Sequence, residues 1–421
     1  MGMPSESRPV LTTPVLLLMA VATGLCVGGN YFNQPLLESI ATALGTSHSA
    51  AAATVTVAQV AYALGLIFLV PLGDVFPQRR LAVTLMLAAA AGQGISGFAP
   101  GIGVLMVGTA MAGLFSVAAQ VLVPFAATLA TPEKRGAAVG TVMSGLLVGI
   151  LLARSVAGML AEVGGWSTVY RIGAVLTAVV ALALWRVLPA TTPTARQGYG
   201  ATLRSLGTLV FEHPRLRTRA LMGGLSFASI SAMFSTMAFL LSGPEHGLGE
   251  LEIGLVGLAG VVGAVAASVV GRLVDRGLGA LTTAAGIAVL VMSWAALAAG
   301  AVSLVWFVVG MVTIDLAVSM VHITNQNIVY ALDPDARSRL NSVYMTTYFV
   351  GAASGSALGA AAWSFGGWTA VFLLGVGLSL CTAAVWIVDM RVAAKGNRTG
   401  ADSAVTTPGR GAATGVRGRA R

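Results

Sequence analysis

Asp315, Ser319, His322 and Gln326 lie in one otherwise apolar run, with the last three at +4, +7 and +11 from the aspartate. On a helix these spacings put all four on one face. A charged group in hydrocarbon is costly and points to a working role, and a histidine titrates near neutrality. A carboxylate and an imidazole on one polar stripe are therefore the parts of a proton carrier. Asp315 is the first candidate for that role and His322 its partner or a second site. The plainer alternatives are a structural carboxylate paired with a neighbouring helix and a satisfied core histidine. Arg154 is a lone cation in a second apolar run. It could hold an anionic or polar group of a ligand, or close an ion pair, for which Asp315 is the most interesting partner. Asn30, Asn33 and Gln34 stand at i, i+3 and i+4 before Pro35 and form an amide patch suited to recognising a solute. Gln59 with Tyr62, and Ser116 with Gln120, add polar faces from two further runs. These residues outline a small-molecule cavity, with polar helix contacts as the competing reading.

The elements that must hold them are set by composition. Of 421 residues 56% are hydrophobic and 9% charged, and the mean hydropathy is +0.86. Soluble domains carry about 25% charged residues, so the surface here has to face lipid. The apolar runs are about 20 residues long, the length of a helix crossing a hydrocarbon core of roughly 30 Å. Barrel strands would be about 10 residues long and alternating, a pattern that is absent. The expected fold is an all-α membrane protein of twelve transmembrane helices in two six-helix pseudo-symmetric bundles. The spans fall near 12–36, 50–72, 80–99, 103–129, 136–161, 167–188, 219–242, 251–272, 279–300, 302–331, 338–363 and 368–390. The bundles occupy 12–188 and 219–391. They are flanked by an N-terminal segment 1–11, a central loop 189–218 with a short surface helix over 202–211, and a basic, disordered tail 392–421. The first run, from Val15 to Tyr31, has no small-residue cleavage site and reads as span 1, not as a removable signal. Asp315 then lies about 20 Å into span 10, at 1.5 Å per residue, near the bilayer middle.

Charge orients the spans. The net charge is +9, and all 24 basic residues except Arg154 and Arg171 fall in the termini, the central loop or turns on one side. The other turns, near 37–49, 100–102, 162–166, 243–250, 300–302 and 364–367, carry none. Basic loops stay in the cytoplasm, which predicts a multi-pass inner-membrane protein with both termini cytoplasmic. The same distribution argues against nucleic acid as a partner. The basic tail reads as a solvated topogenic segment, or one resting on anionic headgroups. Cys26 and Cys381 are far apart and lack metal-ligand spacing. No phosphate-binding Gly-x-x-x-x-Gly-Lys loop, metal cluster or hydrolytic triad is present, so no enzyme, cofactor or metal is expected, and the chain is expected to act as a monomer.

The halves repeat. Thr131-Pro132-Glu133-Lys134-Arg135 matches Asp333-Pro334-Asp335-Ala336-Arg337, and Gly164-Gly165-Trp166 matches Gly366-Gly367-Trp368. Gly149 pairs with Gly351 and Gly173 with Gly375 at the same separation, and Asp74 with Asp275 one residue short of it. Parallel repeats of this kind characterise transporters whose substrate site lies between the halves. Gly145, Gly149, Ala153 and Ala157, and Gly351, Gly355 and Gly359, follow small-xxx-small spacing and predict close helix packing. Trp166 and Trp368 are expected in the aromatic belt at the outer interface.

The stretch Pro71-Leu72-Gly73-Asp74-Val75-Phe76-Pro77-Gln78-Arg79-Arg80 resembles the cytoplasmic loop motif of the major facilitator superfamily, with Val70 and Pro77 at two glycine positions. Gly271-Arg272-Leu273-Val274-Asp275-Arg276-Gly277 looks like its degenerate second copy. The resemblance covers essentially the whole chain and implies a cytoplasmic gating motif of Asp74, Arg79, Arg80, Arg135, Asp275 and Arg276. An aspartate there can meet a helix N-terminus or pair with arginine in one conformation only, biasing the inward–outward equilibrium. Asn30 to Leu37 and the glycine-rich fifth span look like the twelve-span efflux branch, which includes proton-driven sugar, nucleoside and drug exporters. Thr109 stands where that branch often has arginine, and Ile150 where it often has proline, so its proton relay is not carried over intact. The resemblance implies secondary active transport, with proton-coupled efflux of a small organic or drug-like solute. The alternatives are uptake or uniport on the same fold, or a membrane sensor that has lost transport.

Overall fold

The computed structural model describes residues 11–131, 134–190, 198–260, 274–333 and 337–405. The described secondary structure is helical throughout. The helices are α1 Thr13–Gly28, α2 Leu37–Ala43, α3 His48–Phe68, α4 Gln78–Gly97, α5 Ile102–Phe115, α6 Ala118–Leu129, α7 Arg135–Gly164 and α8 Trp166–Val187. They continue with α9 Tyr199–Glu212, α10 Pro214–Phe234, α11 Met237–Leu241, α12 Glu250–Val256, α13 Gly279–Ala299, α14 Leu304–Leu332 and α15 Arg337–Val405. Among the described residues, nine helical stretches are long and apolar enough to cross a membrane. One of them, Arg339–Ala394, is 56 residues long and is broken at Gly366–Gly367. Helix α4, diluted by Gln, Arg and Gly, lies outside those nine yet packs along α5 and α8.

The breaks have local causes. Between α1 and α2 the chain passes through two 3₁₀ turns, and Pro35 sits in the second, where it has no N–H to donate. Helix α7 ends at Gly165 (φ +76°), whose N–H reaches the carbonyl of Ala161 at 2.6 Å. This is a left-handed cap that glycine adopts freely. Its repeat-mate Gly367 (φ +57°) breaks α15 at the matching point. Ser47 Oγ accepts from the Ala50 N–H at 3.2 Å and caps α3. The expected helix over 202–211 is found as α9.

Helices of 13–187 pack mainly on one another, as do those of 214–405, and the two groups meet chiefly along α3 against α15 and α7 against α12. One contact is repeated in both groups. A methyl group on Gly24 of α1 would stand 2.7 Å from the Gly145 carbonyl oxygen and 3.4 Å from Gly149 Cα on α7. A methyl on Gly351 of α15 would stand 2.6 Å from Gly224 Cα on α10. The small-residue spacing thus serves packing inside each group, backbone against backbone. Trp166 and Trp368 are both packed against protein at matching helix corners, Trp166 edge-on to Tyr170 and Trp368 donating its indole N–H to the Leu297 carbonyl at 2.9 Å.

At the end whose turns carry no lysine or arginine the two groups are in contact. Thr56 Oγ1 donates to Ser356 Oγ at 3.0 Å, Ser155 Oγ donates to the Gly254 carbonyl at 2.8 Å, and the hydroxyls of Ser49 and Ser364 meet. At the basic end a cavity of about 330 Å³ opens between α3, α6, α14 and α15, lined by Leu66, Gln120, Tyr330, Asn341 and Met345 among others. Overpacking a close helix contact costs about 1–3 kcal/mol or more. Gly351→Leu is therefore expected to lower the melting temperature in detergent sharply, whereas Gly377→Leu, which meets nothing within 4 Å, should leave it near wild type. Equal melting temperatures for the two variants would contradict the packing account.

Candidate functional site

Arg154 reaches from α7 to the place where both helix groups meet. It is 6% exposed. Its Nε donates to Gln34 Oε1 at 2.6 Å, and its guanidinium carbon lies 3.8 Å from the ring centre of Phe234 on α10 and 5.1 Å from that of Tyr31. Its aliphatic stem packs against Gly257, where a methyl group would stand 3.1 Å from Arg154 Cβ. An arginine stacked on aromatic faces gains a cation–π attraction that partly offsets its desolvation. Asp315 on α14 lies close enough for its charge to act on Arg154, Tyr31 and Tyr348. No hydrogen bond from Asp315 and no ion pair within 4.0 Å to Arg154 occurs among the described residues. The two opposite charges face each other without closing.

Below them, on the side toward the basic end, stands a wall of rings. Tyr348 stacks on Phe227 with centroids 4.0 Å apart, His322 lies 4.5 Å from Tyr348, and Phe349 lies 4.4 Å from Tyr62. His322 Nδ1 is hydrogen-bonded to the Tyr344 hydroxyl at 2.9 Å. Gln120 Nε2 donates to the Tyr62 hydroxyl at 3.2 Å, and Gln326 Nε2 to Asn341 Oδ1 at 3.4 Å, beside the cavity. The four-residue stripe on α14 thus divides. Asp315 sits at the junction with Arg154, His322 in the ring wall and Gln326 at the cavity, while Ser319 is half-buried between them.

The amide patch also divides. Gln34 is held by Arg154, and Asn33 Nδ2 donates to Thr54 Oγ1 at 3.0 Å. Both amide atoms of the buried Asn30, and Oε1 of the buried Gln59, have no partner among the described residues. Ser116 is buried, with its hydroxyl spent on the Ala112 carbonyl at 2.6 Å, a bond inside its own helix. Of the expected gating motif, Arg79 lies over the Trp185 ring at 4.3 Å, and Arg80 and Arg276 are exposed. The side chains of Asp74, Arg135 and Asp275 lie outside the described residues.

One constellation was not anticipated. Arg219 on α10 pairs with Asp389 on α15 at 2.5 Å, both buried. Thr218 Oγ1 donates to the other carboxylate oxygen at 2.5 Å, Arg219 donates to Asn325 Oδ1 at 3.2 Å, and Asn325 returns a bond to the Arg219 carbonyl at 3.2 Å. Arg215 adds a second cation 3.7 Å from Asp389. Arg219 sits among the loop arginines and so reads as topogenic, and Asp389 lies at the end of the last expected span. An aspartate alone in the last apolar run was the signal available.

Fold and site define a helical membrane transporter with a polar centre between two helix groups. The model of the Major Facilitator Superfamily matches residues 19–335, and the chain belongs to that family. Its members bind small molecules and are not enzymes. The protein described as "Uncharacterized transporter YgaY" of Escherichia coli O157:H7 is 48% identical over 376 residues, which are 89% of this chain and 95% of its own. A chloramphenicol resistance protein of Streptomyces lividans is 27% identical over 285 residues, 67% of this chain and 72% of its own. Among solved structures, a bacterial homolog of the human lysosomal transporter Spinster, inward-facing and unoccupied, superposes with a TM-score of 0.70 at 14% identity, covering 90% of this chain and 97% of its own. That likeness is one of fold.

Removing one member of a buried ion pair costs about 3–5 kcal/mol, because the other charge is left behind. Asp389→Asn is expected to lower the melting temperature and yield of folded protein, and Arg219→Met with Asp389→Met together to recover most of the loss. A double variant no better than the single one would show that the pair does not act as a unit.

Proposed function

We propose that the chain is a twelve-helix secondary transporter of the cytoplasmic membrane, with six-helix halves at 12–188 and 219–391 and both termini cytoplasmic, exporting a small organic solute against protons. The observation that carries the reading is the open Arg154–Asp315 pair, set where the halves meet and above a cavity at the basic end. Basic loops favour the cytoplasm, so that cavity faces the cell interior and the structure corresponds to the inward-open state. An ionised carboxylate at this depth needs either a partner or a proton. In the proposed cycle a solute from the cytoplasm takes the hydrogen bonds of Asp315 and Arg154 while Asp315 is ionised. The halves rock, and at the outer face a proton takes the solute's place. His322, tied to Tyr344, is placed to tune the ring wall. Asp74 and Asp275, with Arg79, Arg80, Arg135 and Arg276, serve as the cytoplasmic gating motif.

The name of the Streptomyces lividans relative supports export and makes chloramphenicol the first solute to test. In proteoliposomes with an imposed pH gradient, wild-type flux is expected to follow the gradient. Asp315→Asn should abolish that dependence and leave at most exchange along the solute gradient. Gradient-driven flux that persists in Asp315→Asn would remove Asp315 from coupling.

The contact between Thr56 and Ser356 is the outer lock of this cycle. With Cys26 and Cys381 replaced by serine, a Thr56→Cys, Ser356→Cys pair is expected to form a disulfide on oxidation. It should stop transport and release it on reduction. Unchanged transport by the fully oxidised pair would mean that the outer ends of α3 and α15 do not separate in the cycle.

A further inference from the structure

The geometry at the junction carries a statement about which solutes fit, resting on the reading that this centre is the solute site. Arg154 has one way left to bind. Its guanidinium carbon lies over the rings of Phe234 and Tyr31, and Gln34 occupies its Nε. Its two terminal amino groups have no hydrogen-bond partner among the described residues, although the side chain is nine-tenths buried. They offer donors in the guanidinium plane to one acceptor group. Asp315 likewise has no hydrogen-bonding partner among the described residues and offers acceptors. Among the described residues, Arg154 and Asp315 lie within electrostatic reach of each other, and α7 and α14 both pack on the 257–260 turn that carries Gly257 against the Arg154 stem. The centre therefore holds one positive and one negative charge and is neutral overall. Beside it, the rings of Tyr348, Phe227, Phe349, Tyr62 and His322 form an aromatic wall, with Tyr348 and Phe227 stacked and the others set edge-on or tilted.

We propose that Arg154 and Asp315 form a charge filter that admits electroneutral aromatic solutes carrying a hydrogen-bond acceptor for Arg154 and a donor for Asp315, and rejects organic cations and anions. A cation reaching Asp315 comes under Arg154, and an anion reaching Arg154 comes under Asp315. In a poorly solvated site each repulsion is stronger than in water. A net charge brought into the centre also leaves one member of the pair unanswered. An uncharged donor–acceptor solute satisfies both ends at once, and its ring can stack in the wall as aromatic pairs do.

The test uses three probes that share one ring system and differ in charge: 2-naphthylmethanol, 2-naphthoate and 2-naphthylmethylammonium. Equilibrium binding to the full-length chain in detergent is measured by titration calorimetry at neutral pH, and melting curves establish that each variant is folded. Wild type is expected to bind the alcohol at least about tenfold more tightly than either ion. Asp315→Asn should shift the ranking toward naphthoate by a similar factor, and Arg154→Gln toward the ammonium probe. An ion bound by wild type as tightly as the alcohol overturns the proposal. So does wild type that binds none of the three, since the ring wall is half of the argument, and so does a ranking that both folded variants leave unchanged. Equilibrium binding at one pH needs no gradient, so the charge ranking is read separately from coupled flux. A correct charge ranking without gradient-driven flux would sink the coupling reading alone, and coupled flux without the ranking would sink this one alone.

Discussion

A charge inside an apolar bundle has to be answered by another group, and the chain answers two buried arginines in opposite ways. Arg219 is closed on Asp389 at 2.5 Å, with Thr218 and Asn325 filling further bonding positions. Arg154 is given a side-chain amide and two ring faces, and its carboxylate is held within electrostatic reach but not in contact. The first arrangement ties α10, α14 and α15 into one body. The second leaves unspent hydrogen-bonding capacity at the joint between bodies. Buried polar atoms without a partner persist in stable folds chiefly where a ligand, an ion or water completes them, and both amide atoms of Asn30 and Oε1 of Gln59 are such atoms.

Rigid halves are a precondition for that joint to work. Alternating access moves one helix group against the other, so contacts within a group must outlast those between groups. The close glycine contacts, backbone against backbone at Gly24–Gly149 and Gly224–Gly351, lie within the groups. Between the groups, the closed end is joined by the hydroxyl bonds of Thr56 to Ser356 and Ser155 to Gly254 and by one close glycine approach, Gly158 of α7 and Gly254 of α12 against the facing backbone. A hydrogen bond of that kind is worth about 0.5–1.5 kcal/mol net, low enough to break and re-form.

Much of this was legible in the sequence, for reasons that differ by residue. Helix class followed from length and hydropathy, since lipid leaves the backbone few alternatives. The glycine spacing was readable because small residues recur with the turn of a helix. Asp315 and Arg154 stood out because ionisable groups are rare in apolar runs. Arg219 and Asp389 were hidden for the converse reason. At a span end a charge is unremarkable, and only the packing of α10 against α15 shows that these two face inward. The separate destinations of Asn30, Asn33 and Gln34 were equally out of reach. One helix face predicts a common direction, but the 3₁₀ turns around Pro35 rotate successive side chains toward different neighbours. The ring wall was missed because aromatic residues in membrane helices are ordinary, and Phe227, Tyr348 and Phe349 become a site only when two helices bring them together.

The repeat sharpens where function sits. Scaffold features recur at the same separation in both halves. Gly149 and Gly351 make matching close contacts, and Gly165 and Gly367 both take positive φ at matching corners. The chemistry does not recur. Arg154 corresponds to Ser356, which instead accepts the latch bond from Thr56. Gln120 corresponds to His322, and the two bond to tyrosines of different helices. Two copies of one fold thus share a frame, and each contributes different groups to the space between them. A centre symmetric about an axis along the membrane normal would be lined by the same groups from both halves. An asymmetric one takes its cation from one half and its carboxylate from the other, so that movement of the halves changes the distance between the two charges.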